Sequence, residues 1–203
     1  MKSRIPKIRQ ARIRRSTSET NITVALKING GGKSKISTGL PFLDHMLQLL
    51  AKHSLMNLEI KAVGDLHVDI HHTNEDVGIT LGQTLAKAVG DKAGMRRYGF
   101  FSIPMDESLI RVTLDFSGRP ELLIHQAKGV RFSRLENYSF HDAMEMIRAF
   151  ALHAGLTIHV EVLSGRDSHH IIEGVFKALA RALDMAVQID PRVVGIPSTK
   201  GSL

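Results

Sequence analysis

The sequence predicts an α+β sandwich made of two copies of one half-domain. Two short stretches, HHTNE at 71–75 and HHIIE at 169–173, read almost the same. The segments ahead of them also match: HMLQLLAKHSLMNLEI runs from His45 to Ile60, and EMIRAFALHAGLTIHV from Glu145 to Val160. Ala51 then faces Ala151, His53 faces His153, Leu58 faces Ile158 and Ile60 faces Val160. Each copy also runs through the same order of strands and helices. Self-similarity in only two copies indicates a duplicated half-domain rather than a solenoid.

In the first half, residues 22–28 alternate apolar and polar like a half-buried strand, and 34–38 form a second strand. Gly30-Gly31-Gly32 reads as the hairpin turn between them. An amphipathic helix over about 41–53 follows, then a strand over 57–63 and a helix over 72–89 that Gly90 closes. The second half repeats this order. Strands 108–116 and 120–127 flank a Ser117-Gly118-Arg119-Pro120 hairpin turn, followed by a helix over 139–154, a strand over 157–163 and a helix over 169–187 with Asp190-Pro191 beyond it. The implied boundaries are a basic extension at 1–11, a first half-domain at 12–95 and a second at 96–203 with a C-terminal tail. Strands with helices on one side make this a single pseudo-two-fold α/β sandwich.

The 203 residues are 43% hydrophobic, enough for a sizeable core. No run of about 18 apolar residues occurs, which excludes a transmembrane helix. The absence of cysteine excludes disulfides and Cys-ligated zinc, and makes the cytoplasm the expected location. The formal charge of +7 fits a phosphate-bearing ligand or simply a basic tail. Residues 1–18 are basic and acid-free like a transit peptide. They lead through Glu19-Thr20 straight into the alternating stretch, so they read as a short arm and first strand. The arm has no interleaved aromatic residues for base stacking, and neither nucleic acid nor membrane is an expected partner.

On a helix, the two histidines and the glutamate of each HHxxE stretch lie on one side of a single turn. Two imidazoles and a carboxylate without thiolate suit Mn, Fe, Co, Ni or Zn. The pattern differs from the HExxH of zinc proteases, where Glu sits between the histidines. The repeat nominates His45 and, at the matching turn, Glu145, with His141 one turn earlier as a rival. The candidate metal ligands are therefore His45, His71, His72, Glu75, Glu145, His169, His170 and Glu173. Such a set leaves open coordination positions for substrate. His53 and His153 sit at helix C-termini, where the dipole favours a cation in any case. Arg96-Arg97, Arg119 in the SGRP turn and Ser198-Thr199-Lys200 are candidates for anion contacts, because Arg can grip a phosphate with parallel hydrogen bonds and Lys adds a point charge.

These segments resemble the imidazoleglycerol-phosphate dehydratases of histidine biosynthesis. The match runs in order through RIRR at 12–15, TSET at 17–20, GLPFLDHM at 39–46, AKHS at 51–54, GDLH at 64–67 and DIHHTNED at 69–76. It continues with RRYG at 96–99, MDES at 105–108, DFSGRP at 115–120, SHHIIE at 168–173, FKALARA at 176–182 and PSTKG at 197–201. Residues 1–11 have no counterpart, and VRFSRLENYSF at 130–140 matches poorly and reads as a loop.

The resemblance implies duplicated ribosomal-S5-domain-2-like half-domains, two manganese ions per active site and a homo-oligomer of 24 subunits. In the family, the position of Glu145 is often histidine and sometimes glutamate. The implied reaction is manganese-dependent dehydration of imidazole glycerol phosphate to imidazole acetol phosphate, with the ring held as an imidazolate and a diazafulvene-like intermediate. Glu19 and His53 match substrate-contact positions and are the candidates for acid and base, with His45, His71 and Glu173 counted among the catalytic residues. Glu19, His45, His53, Arg97, Arg119, Ser198 and Lys200 are the implied substrate-binding residues. Two alternatives stand beside it: a di-metal phosphoester hydrolase using a bridging hydroxide, and an RNA-binding module, which would leave the His/Glu sets without a role.

Overall fold

Two four-stranded sheets with one strand order carry the duplication. The computed structural model describes residues 9–133, 135 and 137–203. β1 (Gln10–Ser16), β2 (Thr20–Lys27), β3 (Ser34–Ser37) and β4 (Asn57–Gly64) lie in the order β1-β2-β4-β3. β5 (Tyr98–Met105), β6 (Ser108–Asp115), β7 (Glu121–Gln126) and β8 (Thr157–Ser164) repeat it as β5-β6-β8-β7. Most of the expected basic extension, residues 1–8, lies outside the described residues, as do positions 134 and 136 of the expected 130–140 loop.

The expected hairpins are corrected by this order. β2 and β3 are joined through Gly30-Gly31-Gly32 but do not pair, because β4 lies between them, antiparallel to β2 and parallel to β3. β6, β7 and β8 repeat the arrangement across the SGRP turn. The parallel pairs need a crossover, and α1 (Pro41–Ser54) and α3 (Phe140–Ala154) provide it. The actual hairpins are β1–β2 and β5–β6.

Helix ends follow local chemistry. Pro41 begins α1, where its missing N–H costs nothing. Ser139 and Asp142 form a reciprocal capping box on α3. α2 (His71–Val89) ends at Gly90 and α4 (Ser168–Val187) at Gln188. Each sheet buries one face, with Ile22, Val24 and Leu26 of β2 and Ile110, Val112 and Leu114 of β6 turned inward. The four helices fill the space between the sheets and join both halves into one core.

The helices pair across the halves. α1 packs on α4, and α2 packs on α3. A methyl at Gly78 would lie 2.4 Å from the Met146 carbonyl oxygen, and one at Gly82 would lie 2.5 Å from that of Phe150. These two glycines therefore let α2 and α3 touch backbone to backbone. Among its described residues, the segment between β7 and α3 forms no helix or strand, in line with the expected loop. It is tied down by Ser133, whose amide donates to Ser168 Oγ at 2.8 Å, and by buried Tyr138, whose hydroxyl donates to Asn74 Oδ1 at 2.7 Å.

Candidate metal centre

Both HHxxE helices start the same way. The Asp69 carboxylate accepts from the His71 amide, and the Asp167 carboxylate from the His169 amide, each at 2.8 Å. The first histidine of each pair is thus held in the opening turn, one turn ahead of its glutamate. On α4, His169 Nε2 lies 3.3 Å from Glu173 Oε2, and His45 Nε2 of α1 reaches the same oxygen at 3.7 Å. One ligand atom from each of His45, His169 and Glu173 lies within 4.8 Å of the others. Two imidazoles and a carboxylate without thiolate fit a divalent ion of the Mn-to-Zn series.

Glu173 is 8% exposed. Burial pushes its pKa up, but the Lys177 ammonium 2.6 Å from Oε1, with His45 and His169, outweighs burial and leaves it below the usual carboxylate range. Lys177 therefore holds one carboxylate oxygen while the other faces the histidines. His53 lies along the same α1/α4 seam. Burial and the neighbouring Lys177 and Arg181 charges lower its pKa, so it is held in the neutral form, able to accept a proton.

The second set is only partly drawn together. His71 Nε2 lies 3.5 Å from Glu75 Oε2 on α2, but Glu145 of α3 turns to Arg148 at 3.2 Å. His141 and Glu145 line one depression of about 630 Å³ beside β7. His72 and His170 point elsewhere. His72 Nδ1 lies 3.1 Å from Asp65 Oδ2, and His170 Nδ1 lies 2.8 Å from Glu107 Oε2. These hydrogen bonds raise both histidine pKa values above the ordinary range, with Glu19 adding to the effect at His72. Glu107 is driven well below the carboxylate range by the amide of Asp167, by His170 and by the amide of Arg166.

Glu19 sits on the β1–β2 turn, where Thr17 Oγ1 accepts from the Glu19 and Thr20 amides. That turn is anchored to α2, because Asp76 accepts from both Thr20 Oγ1 and Arg15 Nε. The anchor brings Glu19 Oε2 to 3.9 Å from His72 Nδ1. Glu19 thus belongs to the α2 end and His53 to the α1/α4 seam.

Arg97, Arg119, Ser198 and Lys200, distant in sequence, line one depression of about 560 Å³. Arg97 is already committed in part, with Nε and Nη2 donating to Asp115 at 2.7 and 3.0 Å and Nη1 donating to the Pro197 carbonyl at 2.9 Å. The Arg119 carbonyl accepts from Ser117 Oγ and Thr157 Oγ1, which fixes the SGRP turn on β8.

Asp65, Glu107, Lys177 and the capping pair Asp69 and Asp167 were not nominated by sequence. The repeated D-x-H-H pattern could have supplied the caps.

A duplicated α+β chain with His/His/Glu donors and a separate cationic depression belongs among enzymes that could use a metal ion on a small anionic substrate. The imidazoleglycerol-phosphate dehydratase family model matches residues 38–183. The imidazoleglycerol-phosphate dehydratase of Ralstonia pickettii is 54% identical over 198 residues, covering 96% of this chain and 99% of that one. The solved Pyrococcus furiosus enzyme aligns with a TM-score of 0.79 at 36% identity, over 94% of this chain and 100% of that one. The Staphylococcus aureus enzyme aligns with a TM-score of 0.78 at 36% identity, over 89% and 99%. The chain belongs to the imidazoleglycerol-phosphate dehydratase family, a family of hydro-lyases in histidine biosynthesis.

Proposed function

We propose that this chain dehydrates imidazole glycerol phosphate to imidazole acetol phosphate with two manganese ions per active site. The observation that carries the reading is the grouping of His45, His169 and Glu173 across the two halves. His71, His72, Glu75, Glu145 and His170 supply the remaining ligands. When bound, the ions supply Lewis acidity at the imidazole nitrogens of the substrate. The chain's own residues do the rest. Arg97, Arg119, Ser198 and Lys200 grip the phosphate and orient the glycerol chain. Glu19 and His53 move protons: one group must protonate the departing hydroxyl, and another must take the carbon-bound proton. His53, with its lowered pKa, is suited to accept a proton, and Glu19, near His72, is the second candidate.

We further infer that residues 12–95 and 96–203 act as two half-domains of one domain, and that the chain works in the cytoplasm as a large homo-oligomer, a 24-mer by family likeness. No described helix is long and apolar enough to cross a membrane.

The test is to incubate the purified chain with imidazole glycerol phosphate and Mn²⁺, beside a chelated control. Imidazole acetol phosphate should form only with metal. Turnover at the same rate after chelation would reject the metal reading, and release of inorganic phosphate would point to a hydrolase instead.

A further inference from the structure

The second histidine of each pair meets a carboxylate through Nδ1, and the carboxylate comes from a different place in each half. Asp65 follows β4 in the first half, whereas Glu107 lies in the β5–β6 turn of the second. These positions are not equivalent, yet both carboxylates address the same ring atom. His72 Nδ1 lies 3.1 Å from Asp65 and His170 Nδ1 lies 2.8 Å from Glu107. An ionised carboxylate has no hydrogen to give, so Nδ1 must be the donor. That fixes the tautomer and leaves each Nε2 lone pair available to an electrophile. Asp106 Oδ2 is 3.6 Å from His170 Nε2, beyond hydrogen-bond reach.

The backbone that carries Asp65 is held, its amide donating to the Glu19 carbonyl at 3.2 Å, and the Glu107 carboxylate is held directly. Glu107 Oε1 accepts from the amides of Arg166 and Asp167 at 3.0 and 2.9 Å and from Ser108 Oγ at 3.1 Å. Glu107 holds the place in its half that Glu19 holds in the first, where Glu19 Oε2 stops 3.9 Å from His72 Nδ1 and Asp65 makes the hydrogen bond instead.

We propose that Asp65 and Glu107 are positioning residues that orient His72 and His170 to present Nε2 to a divalent ion. The inference rests on the metal reading above and goes beyond it by naming what aims two of the ligands. Outer groups of this kind typically change metal affinity by roughly 10- to 100-fold.

The experiment titrates the metal-free full-length chain with Mn²⁺, and separately with Co²⁺, whose absorption spectrum reports ligand geometry. Wild type is compared with Asp65→Ala, Asp65→Asn and Glu107→Gln, and the thermal midpoint of each metal-free protein is measured. Asp65→Ala should weaken binding by roughly 10- to 100-fold and alter the Co²⁺ spectrum. Asp65→Asn and Glu107→Gln should each weaken it measurably but less, because an amide oxygen still accepts the Nδ1 hydrogen while the carboxylate charge is gone. The metal-free midpoint of Asp65→Ala should match wild type, since the Asp65 carboxylate hydrogen-bonds only His72 among the described residues. Glu107 also ties down backbone, so if its variant does not fold, the Asp65 pair decides. Wild-type affinity and spectrum in either Asp65→Ala or Glu107→Gln overturns the role of that residue. If wild type itself binds neither ion, the metal reading falls and this inference falls with it.

Discussion

The two HHxxE helices begin from the same motif, each with an aspartate two residues ahead accepting from the first histidine's amide, yet only one draws its His and Glu groups together. α4 packs on α1, which carries His45, and α2 packs on α3, which carries Glu145. The difference is electrostatic. His169, Glu173 and His45 offer one carboxylate among two imidazoles, with Lys177 balancing the charge, so they converge without a cation. His71, Glu75 and Glu145 would bring two carboxylates together. Like charges at that range disfavour each other, and Glu145 turns to Arg148 instead. Equivalent sequence positions therefore form one converged His/His/Glu group and one that stays open.

The largest effect is expected from the glutamates themselves. Glu173→Ala and Glu75→Ala should each remove a metal ligand and cost several kcal/mol of catalysis, roughly a thousand-fold or more in kcat. Turnover and bound metal measured together would break the comparison if Glu75→Ala kept both, because α2 would then hold no ion. Glu145→Ala should lose metal from one of two sites, while Glu145→His should keep it and His141→Ala should be milder. Metal content by elemental analysis separates these, and loss in His141→Ala with retention in Glu145→Ala would exchange their roles.

The turns between β2 and β3 and between β6 and β7 sharpen the contrast further. In the first half the Gly31 amide donates to Asn57 Oδ1 at 2.8 Å, and in the second the Thr157 hydroxyl donates to the Arg119 carbonyl at 2.7 Å. The turn is pinned at the same place in both, with Lys33 closing the first and Arg119 inside the second. Arg119→Ala and Lys200→Ala should each weaken substrate binding by about 1.5–3 kcal/mol, roughly ten- to a hundred-fold, with bound manganese unchanged. Gly31→Ala, which meets open space, should change stability by less than about 0.5 kcal/mol. Normal substrate affinity in both cation variants would remove the phosphate pocket.

The smallest effect is a pH window. Glu107 has a lowered pKa, so its contribution to stability is full above its ordinary value of 4.5 and is lost as pH falls. His170 has a raised pKa, so its contribution is full below its ordinary 6.5 and is lost as pH rises through the raised value. Both groups are charged between 4.5 and 6.5, where the thermal midpoint of metal-free wild type should most exceed that of Glu107→Gln. A constant difference from acid to alkaline pH would show that the pair is not what Glu107 contributes.

Much of this was legible in the chain. The repeat exposed the helix order and the eight candidate ligands, because identical residues recur at nearly fixed offset. The hairpins were misread, because alternation and turn residues report neighbours in sequence, whereas β4 and β8 insert after a helix. Asp65 stayed hidden because its counterpart in the second half is Gly165, and Glu107 because its counterpart Glu19 was read only as a substrate contact implied by the resemblance. Net charge also misled in part. Residues 1–95 hold 14 Lys and Arg against 8 Asp and Glu, or +6, and residues 96–203 hold 13 against 12, or +1. The excess lies in the half without the depression lined by Arg97, Arg119 and Lys200, so overall balance does not point to that depression.

The crossed pairing of helices has a consequence for mass action. His45 and Glu173 belong to different halves, as do Glu145 and Glu75, so neither half owns a donor set. The link between them serves as a local concentration, turning what would be an encounter between two molecules into a permanent one. A chain severed between Gly90 and Met95 would keep both sheets intact in its fragments. Its ability to capture a metal ion would then fall on dilution, while that of the unbroken chain would not.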